Sequence, residues 1–517
     1  MTFYDRMEEE SSKKLTQNGS PTFSTSLNKN LDFFALGGAV RDWKDSDIER
    51  LFGDSFRENE ETALRNLVHL RNIRNKGLGE RKAFRAGLKY LDFIGARIVL
   101  SRLVDYLPEL GRWDDVVYLF EISQDTVLKA SIAKKIRFQL LTDFEAKRTG
   151  TSASLLAKWL PSITTTSRET RKVAKELVRY MYGTNSPRNE KLYRKTLASL
   201  RDYLNVVEVR MTDKDYDKID YSQVPSLAAI RYRNAFKRND SYRYEKYLEK
   251  LDKGEAKVNA AVTYPYQIIS AYGRNPYHTD TLLENAWKSL PDYIGDSNER
   301  AIVVADTSGS MSGDPMNVSI SLAIYCAQRL KGEFHGKYIS FSANPTLNSV
   351  ADRASLAENI KKVYATEWGQ NTDINKTFKL ILDTAVKHKM SQDELPNKII
   401  IISDMEFDAA NGGVGYSGWG YNREKAEELT DTNYQKIKAD FAQHGYEIPQ
   451  IIFWNVNAKS STIPVRRDEV GTALVSGLTP AIFETVLNGK IVNPEKLMLD
   501  TLYQDKYDFV KGLLVRG

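Results

Sequence analysis

Two periodicities of apolar residues divide the chain. Between Leu31 and Leu290 apolar positions recur every three or four residues, which is typical of amphipathic helices. Short turns with Gly, Pro or a capping Ser, Thr or Asp separate the helical segments, so we predict an all-α array of stacked helix pairs of the HEAT type. The segments with this spacing are Thr62–Asn72, Arg81–Asp105, Asp114–Ser123, Val127–Ala146, Leu155–Trp159 and Arg168–Tyr182.

The pattern changes after about residue 300. Short apolar runs rich in β-branched residues alternate there with amphipathic segments, which predicts a doubly wound, Rossmann-like α/β domain with a parallel sheet covered on both faces. The predicted strands are Ala301–Ala305, Lys337–Phe341, Lys398–Ile402 and Gln450–Val456, and the predicted helices are Asn317–Leu330, Thr372–His388 and Asp431–His444. Ligands of such sheets bind at the carboxyl ends of the strands.

These patterns predict four regions. Residues 1–20 are polar and are expected to form a disordered tail, and residues 21–290 form the helical-repeat domain. The segment Thr263–Asp296, which is rich in Tyr, Pro, Asn and Gly, is expected to form the junction to the next domain. Residues 300–490 form the α/β domain, and residues 491–517 are expected to add a C-terminal helix that packs back on the helical module.

Charge is distributed unevenly between these regions. Residues 1–298 contain 50 Lys and Arg against 41 Asp and Glu, a net charge of +9, whereas residues 299–517 contain 24 against 27, a net charge of −3. A basic helical domain predicts a polyanionic partner, although ordinary surface solvation would also produce this excess. The single cysteine, Cys326, and the lack of a signal peptide or a long apolar run predict a cytoplasmic monomer without a membrane segment.

A candidate metal site follows the first predicted strand. In AIVVADTSGSMSG the strand leads into Asp306, Ser308 and Ser310, so one carboxylate and two hydroxyls converge from a single turn. Hard oxygen ligands of this kind suit Mg²⁺ first, with Mn²⁺ or Ca²⁺ as alternatives. The competing interpretation is that the Ser and Asp side chains only cap the following helix.

The DTSGSMS sequence resembles the metal-ion-dependent adhesion site (MIDAS) of von Willebrand factor A domains. The resemblance implies two further ligands, a Thr from a later loop and an Asp after a later strand, which match Thr372 and Asp404. A Gly-rich loop with aromatic residues, Ala409–Asn422, is expected near the same face, either shaping ligand access or as a tolerated insertion.

Three basic clusters are candidate RNA-binding surfaces. One is a helical stripe with apolar residues opposite, one crowds a turn with two glycines, and one interleaves cations with aromatics in the manner of single-strand binders. Each cluster could alternatively be a solvated face. The residues are Arg168, Lys172, Lys175 and Arg179; Arg71, Arg74, Lys76, Arg81, Lys82 and Arg85; and Arg231, Arg233, Lys237 and Arg238.

Motifs along most of residues 22–490 resemble a Ro-related family of plant, phage and bacterial proteins, which pairs a TROVE-like helical module with a von Willebrand A domain. They are Phe33-Phe34, His69–Phe84, Leu107–Val116, Leu155–Ser162, Leu200–Glu208, DTSGSMSGDPMNVSISL, WGQNTDI, ISDMEFD and IIFWNV. The resemblance implies a ribonucleoprotein function through binding of small non-coding RNA, by analogy with Ro proteins.

Motifs for catalysis are missing from the sequence. The glycines of NKGLGER are not followed by G-K-[ST], the five histidines lack zinc-ligand spacing, and no G-x-S-x-G motif occurs. We therefore expect no enzymatic activity and predict an RNA-binding protein of Ro type with a divalent-cation site. The alternative is a protein-interaction adaptor whose metal binds an acidic side chain of a partner.

Overall fold

The computed structural model describes residues 7, 10–274, 276–341, 344–365, 373–407 and 433–515. Between residues 29 and 288 the described chain is helical, which confirms the predicted all-α fold of this region. Its helices are α1 (Lys29–Gly37), α2 (Asp45–Glu58), α3 (Glu60–Arg71), α4 (Lys82–Phe93), α5 (Arg97–Leu103), α6 (Leu107–Leu110), α7 (Trp113–Ile122), α8 (Thr126–Thr149), α9 (Leu156–Trp159), α10 (Arg168–Tyr182), α11 (Pro187–Tyr203), α12 (Val207–Thr212), α13 (Ser226–Asn239), α14 (Ser241–Asp252), α15 (Pro265–Tyr272) and α16 (Thr281–Lys288).

Local capping signals account for several of these helix boundaries. The Ser167 side chain accepts a hydrogen bond from the Thr170 amide at the start of α10, and Gly183 ends that helix in the left-handed conformation. The predicted helix Arg81–Asp105 is instead two helices, α4 and α5. The chain turns between them at Gly95, whose positive φ interrupts the helix.

The C-terminal half contains the predicted α/β domain. Its sheet is built from β3 (Ala301–Asp306), β4 (Lys337–Phe341), β5 (Thr346–Ser349), β6 (Lys398–Ser403), β7 (Gln450–Asn455) and β8 (Thr472–Ser476). The strand order is β5-β4-β3-β6-β7-β8, and among these described strands only the edge strand β5 is antiparallel to its neighbour. Every residue of β3 and β6 is buried, and since alternate residues face opposite sides, both faces of the sheet are covered.

The helices of this domain occupy the connections that the sequence predicted, with additions. They are α17 (Asp314–Arg329), α18 (Leu356–Ala365), α19 (Ile374–His388), α20 (Asn433–Gln443), α21 (Ile482–Leu487), α22 (Pro494–Leu502) and α23 (Phe509–Leu514). The elements β5, β8, α18 and α21 were not predicted from the sequence. β5 is an exposed edge strand of four residues with no apolar run, so its periodicity carries little signal.

The predicted disordered tail is wrong for residues 10–20. This segment contains β1 (Lys13–Leu15), which pairs with β2 (Pro21–Phe23) in a two-stranded antiparallel sheet. Phe23 in turn exchanges two backbone hydrogen bonds with Ile463 of the α/β domain, at 3.0 and 2.9 Å. We call residues 12–26 the N-terminal strap. Its order depends on partners more than 380 residues away, which local polarity does not reveal.

The two ends of the helical array meet each other and the α/β domain. At the first end, the Gly38 amide donates to Ser476 Oγ at 3.0 Å, where α1 packs on β8. At the other end, α15 packs on α17. The Tyr264 hydroxyl just before α15 donates to the Leu78 carbonyl at 3.1 Å, which joins the two ends of the array directly. The helical module therefore closes on itself beside the sheet.

The last two helices return to the helical module. Helix α22 packs on α3, and α23 packs on α3 and α5. The Arg65 side chain is fully buried, and its guanidinium donates to the Leu502 carbonyl at 3.2 Å and to Asp508 at 2.8 Å. The rings of Tyr106 and Phe509 stack with centroids 4.2 Å apart. The last two helices thus connect the helical module to the sheet.

Candidate metal centre and basic surface

Two neighbouring parallel strands bring acidic residues together at their carboxyl ends. β3 ends at Asp306 and β6 is followed directly by Asp404, and the two strands are paired in parallel. Asp306 is fully buried, and Asp404 is 1% exposed. The sequence motif and the sheet topology therefore place two carboxylates of different strands in one buried site.

Hydrogen bonds orient the Asp306 carboxylate on both of its oxygens. Oδ1 accepts from the Ser308 amide at 2.9 Å, and Oδ2 accepts from the Ser403 hydroxyl at 2.6 Å. Ser308 Oγ lies 3.0 Å from Ser310 Oγ, and the Ser310 side chain is exposed to solvent. The turn Gly309–Met311 is a 3-10 turn that presents both hydroxyls at the end of β3.

The hydrogen bonds of the Asp404 carboxylate engage fewer of its oxygens than those of Asp306. Its Oδ1 accepts from the Glu406 amide at 3.2 Å, and the Ser310 hydroxyl interacts with the carboxylate group. The buried Oδ2 has no partner with hydrogen-bond geometry among the described residues. Met405 follows with a positive φ, in a left-handed conformation that is strained for a residue with a side chain. A buried carboxylate oxygen without a partner is costly unless something occupies its lone pairs, so this atom is a candidate ligand for a cation.

The pKa values of both carboxylates are raised, which also favours a bound cation. Burial and the neighbouring Asp404 raise the pKa of Asp306 to about 7. Burial also raises the pKa of Asp404, although the Ser310 hydroxyl and the Glu406 amide counteract this increase. The Glu406 carboxylate contributes further to the increase for Asp404. Buried carboxylates whose ionisation is opposed by acidic neighbours form an environment that a divalent cation would stabilise.

The donor set fits a hard cation. It comprises two carboxylates and the hydroxyls of Ser308 and Ser310, all of them oxygen donors of the kind that Mg²⁺, Mn²⁺ and Ca²⁺ accept. Within the described part of the chain, no group of three or more His, Cys, Asp or Glu side chains is arranged to hold a metal ion. A site here would therefore depend on the hydroxyls as well as on the two carboxylates.

Two sequence-based expectations lie outside the described residues. They are the proposed ligand Thr372 and the Gly-rich loop Ala409–Asn422. The next residue after Thr372, Asp373, is described and caps α19, where its carboxylate accepts from the amides of Asn375 and Lys376 at 3.0 and 3.2 Å. Asp373 is therefore engaged in helix capping.

The predicted basic stripe lies on the exposed face of α10. Arg168, Lys172, Lys175 and Arg179 are all exposed, while Ala174, Leu177, Val178 and Met181 are buried beneath them. Ion pairs with α10 and α11 are long: Lys175 lies 3.4 Å from Glu190, and Arg179 lies 3.9 Å from Glu176. The four cations therefore remain accessible to a ligand.

Helix α11 adds cations that the sequence analysis missed. It packs against α10, and four of its basic side chains are exposed. Their spacing of three, four and seven residues is the signal that could have identified them. They are Arg188, Lys191, Arg194 and Lys195.

The second basic cluster is mainly structural. Arg71 is 3% exposed and bonds Asp115 at 2.8 Å, so the expectation that it contacts RNA is wrong, because the guanidinium is consumed by a buried ion pair. Arg85 binds both Asp114 and Asp115, at 3.2 and 3.1 Å, and Lys82 donates to the Arg41 carbonyl at 2.8 Å.

The remaining members of that cluster are exposed. Arg74 and Arg81 face solvent, and Lys76 is paired with Glu484 of the α/β domain at 2.6 Å. Arg81 lies 3.5 Å from Asp114. These side chains surround acidic groups, so the cluster offers a ligand much less free positive charge than α10 and α11 do.

The third cluster separates into exposed cations and buried aromatics. Arg231, Lys237 and Arg238 are exposed, whereas Arg233 pairs with Asp280 at 3.2 Å. Phe236 and Tyr244, two of the aromatic residues interleaved with these cations, are 0% and 3% exposed and belong to the core, while Tyr242 is 69% exposed. The alternation of cations and aromatics here reflects two faces of α13 and α14, with Phe236 and Tyr244 on the inward faces.

No described helix has the length and apolar character needed to cross a membrane. The fold and sites define a helical array closed against an α/β domain, with a pair of buried carboxylates at the carboxyl edge of the sheet and a basic surface on two adjacent helices.

Comparisons with known proteins match both halves of the chain. Residues 123–299 are similar to a family described as a domain of unknown function (DUF2828), and residues 300–509 to another domain of unknown function (DUF7788). The uncharacterized protein L728 of Acanthamoeba polyphaga mimivirus is 29% identical over 519 residues, which cover 94% of this chain and 86% of that protein. The boundary between the two matched families falls immediately before β3.

A solved structure also matches over most of the chain. It is the crystal structure of the Deinococcus radiodurans RO (RSR) protein, with a TM-score of 0.41 and 14% sequence identity. The match covers 95% of this chain and 100% of that chain.

Proposed function

We propose that this protein binds RNA, single-stranded or small and non-coding, through the basic face of α10 and α11, and that it holds a divalent cation at Asp306, Ser308, Ser310 and Asp404. The proposal includes no chemical step on the RNA. The observation that carries it is the set of eight exposed cations on two adjacent helices, two of which, Lys175 and Arg179, form ion pairs of 3.4 and 3.9 Å.

The charge of these two helices is unusual for the molecule. α10 and α11 together contain ten basic and four acidic residues, a net charge of +6 within 32 residues. Residues 1–298 as a whole have a net charge of +9. Positive charge concentrated on one surface attracts a phosphate backbone, with an affinity that decreases steeply as salt increases.

The choice of RNA over other polyanions rests on the sequence motifs that resemble Ro-related proteins. The helical surface itself would bind phosphates without regard to sequence, because arginine and lysine side chains contact the backbone and not the base edges. Selection for single strands would then depend on exposed aromatic side chains such as Tyr242.

The carboxylate pair supports the proposed cation site. Asp404 Oδ2 lacks a partner among the described residues, and the Ser310 hydroxyl is exposed. A cation bound here would satisfy the buried oxygen and, beside the exposed Ser310, would be accessible from solvent. That accessibility favours a second candidate function, an adaptor that binds an acidic side chain of another protein through the metal.

One experiment separates the two functions. The full-length protein, purified at low salt with and without ribonuclease, is tested for bound nucleic acid and for rebinding of the recovered RNA. Binding is then repeated with chelator, with Asp306→Ala and with increasing salt. Single-stranded DNA of the same sequence serves as the competitor that tests the preference for RNA.

RNA binding through α10 and α11 predicts that binding persists in chelator and in Asp306→Ala and is reduced by a factor of about 10³ or more between 50 and 200 mM salt. A protein that purifies without nucleic acid and binds no added RNA at low salt contradicts the RNA proposal. Capture of an acidic partner that disappears with chelator and with Asp306→Ala would establish the adaptor instead.

A further inference from the structure

The N-terminal strap reaches the segment that carries Asp404. Thr16 Oγ1 donates to the Phe407 carbonyl at 2.6 Å, and Asn18 Nδ2 donates to the Glu406 carbonyl at 2.6 Å. The Gln17 amide donates to Glu406 Oε2 at 2.7 Å. Three hydrogen bonds from three consecutive strap residues thus end on two residues just beyond Asp404.

Glu406 links the strap to the carboxylate pair. Its side chain is 2% exposed, and its Oε1 accepts from the hydroxyls of Ser460 and Thr462 at 2.9 and 3.0 Å. Its amide donates to Asp404 Oδ1 at 3.2 Å. A continuous path therefore runs from the Gln17 amide through Glu406 to Asp404, the residue with the unpartnered buried oxygen.

The backbone between Asp404 and Glu406 needs such support. Met405 has a positive φ, and a non-glycine residue retains a left-handed conformation only where its surroundings impose it. The Met405 amide donates to Ser403 Oγ at 3.1 Å, which restrains one side. The strap and the 460–462 turn restrain the other side by holding Glu406 and Phe407.

We infer that the N-terminal strap is a positioning element of the metal centre: Thr16, Gln17 and Asn18 hold the 405–407 segment so that Asp404 is presented to the cation. This inference rests on the proposed metal site and assigns a role to residues that lie outside its ligand set. Because binding couplings are reciprocal, a bound cation must in turn favour the docked strap.

The test measures Mn²⁺ affinity by isothermal titration calorimetry in the full-length protein. The double variant Thr16→Ala/Asn18→Ala removes two of the three bonds to residues 406 and 407, and we expect it to weaken the affinity about tenfold or more, the usual effect of losing groups that orient a metal ligand. The matched control is Ser24→Ala in the same strap, since the Ser24 hydroxyl donates to the Ser12 carbonyl at 3.1 Å, away from residues 405–407. The control is expected to bind Mn²⁺ like the unmodified protein.

A second measurement needs no variant and covers the case in which the double variant fails to fold. Hydrogen exchange of the unmodified protein is compared with and without Mn²⁺, and the Gln17 amide is expected to become more protected when the cation is bound. Unchanged Mn²⁺ affinity in a folded double variant, or unchanged exchange in the strap, would refute the positioning role alone. An unmodified protein that binds no Mn²⁺, Mg²⁺ or Ca²⁺ would refute the metal site itself.

Discussion

The buried ionisable side chains of this protein differ in whether and how their charge is compensated. Arg65 and Arg71 are paired with acidic side chains, so their burial is compensated. Asp306 and Asp404 are buried as neighbours of like charge, an arrangement that costs free energy in the absence of a cation. His69 represents a third case, because it is buried in its neutral form.

Because His69 is buried in its neutral form, we expect the protein to lose stability in acid. Burial and, secondarily, the charge of Lys506 lower its pKa to about 3, and its Nδ1 lies 2.9 Å from the Tyr507 hydroxyl. Below pH 6.5 the unfolded chain takes up a proton on this residue that the folded protein does not, so stability falls as the pH decreases from about 6.5 toward 3. Between pH 7.5 and 5 this amounts to about 2 kcal/mol.

The measurement is urea unfolding at both pH values for the unmodified protein and for His69→Gln. The variant should lose about 2 kcal/mol less than the unmodified protein over this interval. His444→Gln is the control for replacing a histidine by glutamine, because His444 is exposed just after α20. Equal pH dependence in His69→Gln and the unmodified protein would contradict the prediction.

At the scale of the elements, α10 carries its apolar and its basic residues on opposite faces. On α10 the buried face is apolar and the exposed face carries the four stripe cations. The cations can therefore be changed without disturbing the packing beneath them.

Replacing Arg168, Lys172, Lys175 and Arg179 together by Gln is expected to weaken RNA binding by a factor of about 10² or more at low salt. It should also reduce the slope of log affinity against log salt by roughly three, since each lost phosphate contact contributes about 0.7 to 0.9. Fluorescence anisotropy with a labelled RNA measures both quantities.

The matched control replaces four exposed lysines of the α/β domain by Gln. They are Lys361, Lys362, Lys379 and Lys387. This variant changes the net charge equally but leaves α10 intact. Equal loss of affinity in both variants would assign binding to net charge and would contradict a localised site on α10.

At the scale of the whole molecule, the helical array and the sheet are joined at sites far apart in sequence. α1 contacts β8, Tyr264 contacts Leu78, and the C-terminal helices return to α3 and α5. The strap adds a further connection at the carboxyl edge of the sheet. These junctions make the two halves one closed unit.

Gly38→Ala tests this closure where the end of α1 meets the backbone at the end of β8. A Cβ at this position would lie 2.6 Å from the backbone carbonyl carbon and oxygen of Ser476. Two backbones must therefore separate, and we expect a loss of about 1–3 kcal/mol in the free energy of unfolding. Gly37→Ala is the control, because its Cβ would approach the flexible Leu70 side chain most closely, at 3.0 Å, and should cost less. Equal stability of both variants would contradict a tight junction between α1 and β8.

Local sequence information determined most of the elements. The three- to four-residue spacing identified the helices, Ser167 and Gly183 mark the ends of α10, and four apolar runs identified the principal strands. The sequence also identified Asp306 and Asp404 at strand ends, because the DTSGSMS motif and the ISDMEFD segment follow buried runs directly. These features depend on neighbouring residues, which the sequence displays.

Only the tertiary structure decided which basic and aromatic residues are exposed and so able to contact a ligand. Arg71 is paired with Asp115, 44 residues away, and Phe236 and Tyr244 turn into the core, although their sequence surroundings resemble those of exposed residues. The strap is ordered by Glu406, Phe407 and Ile463, which no local pattern connects to it. The physical reason is that the burial of a charged side chain and the docking of the strap depend on partners that only folding brings together. These partners lie far away in the sequence, so the local residue pattern does not reveal them.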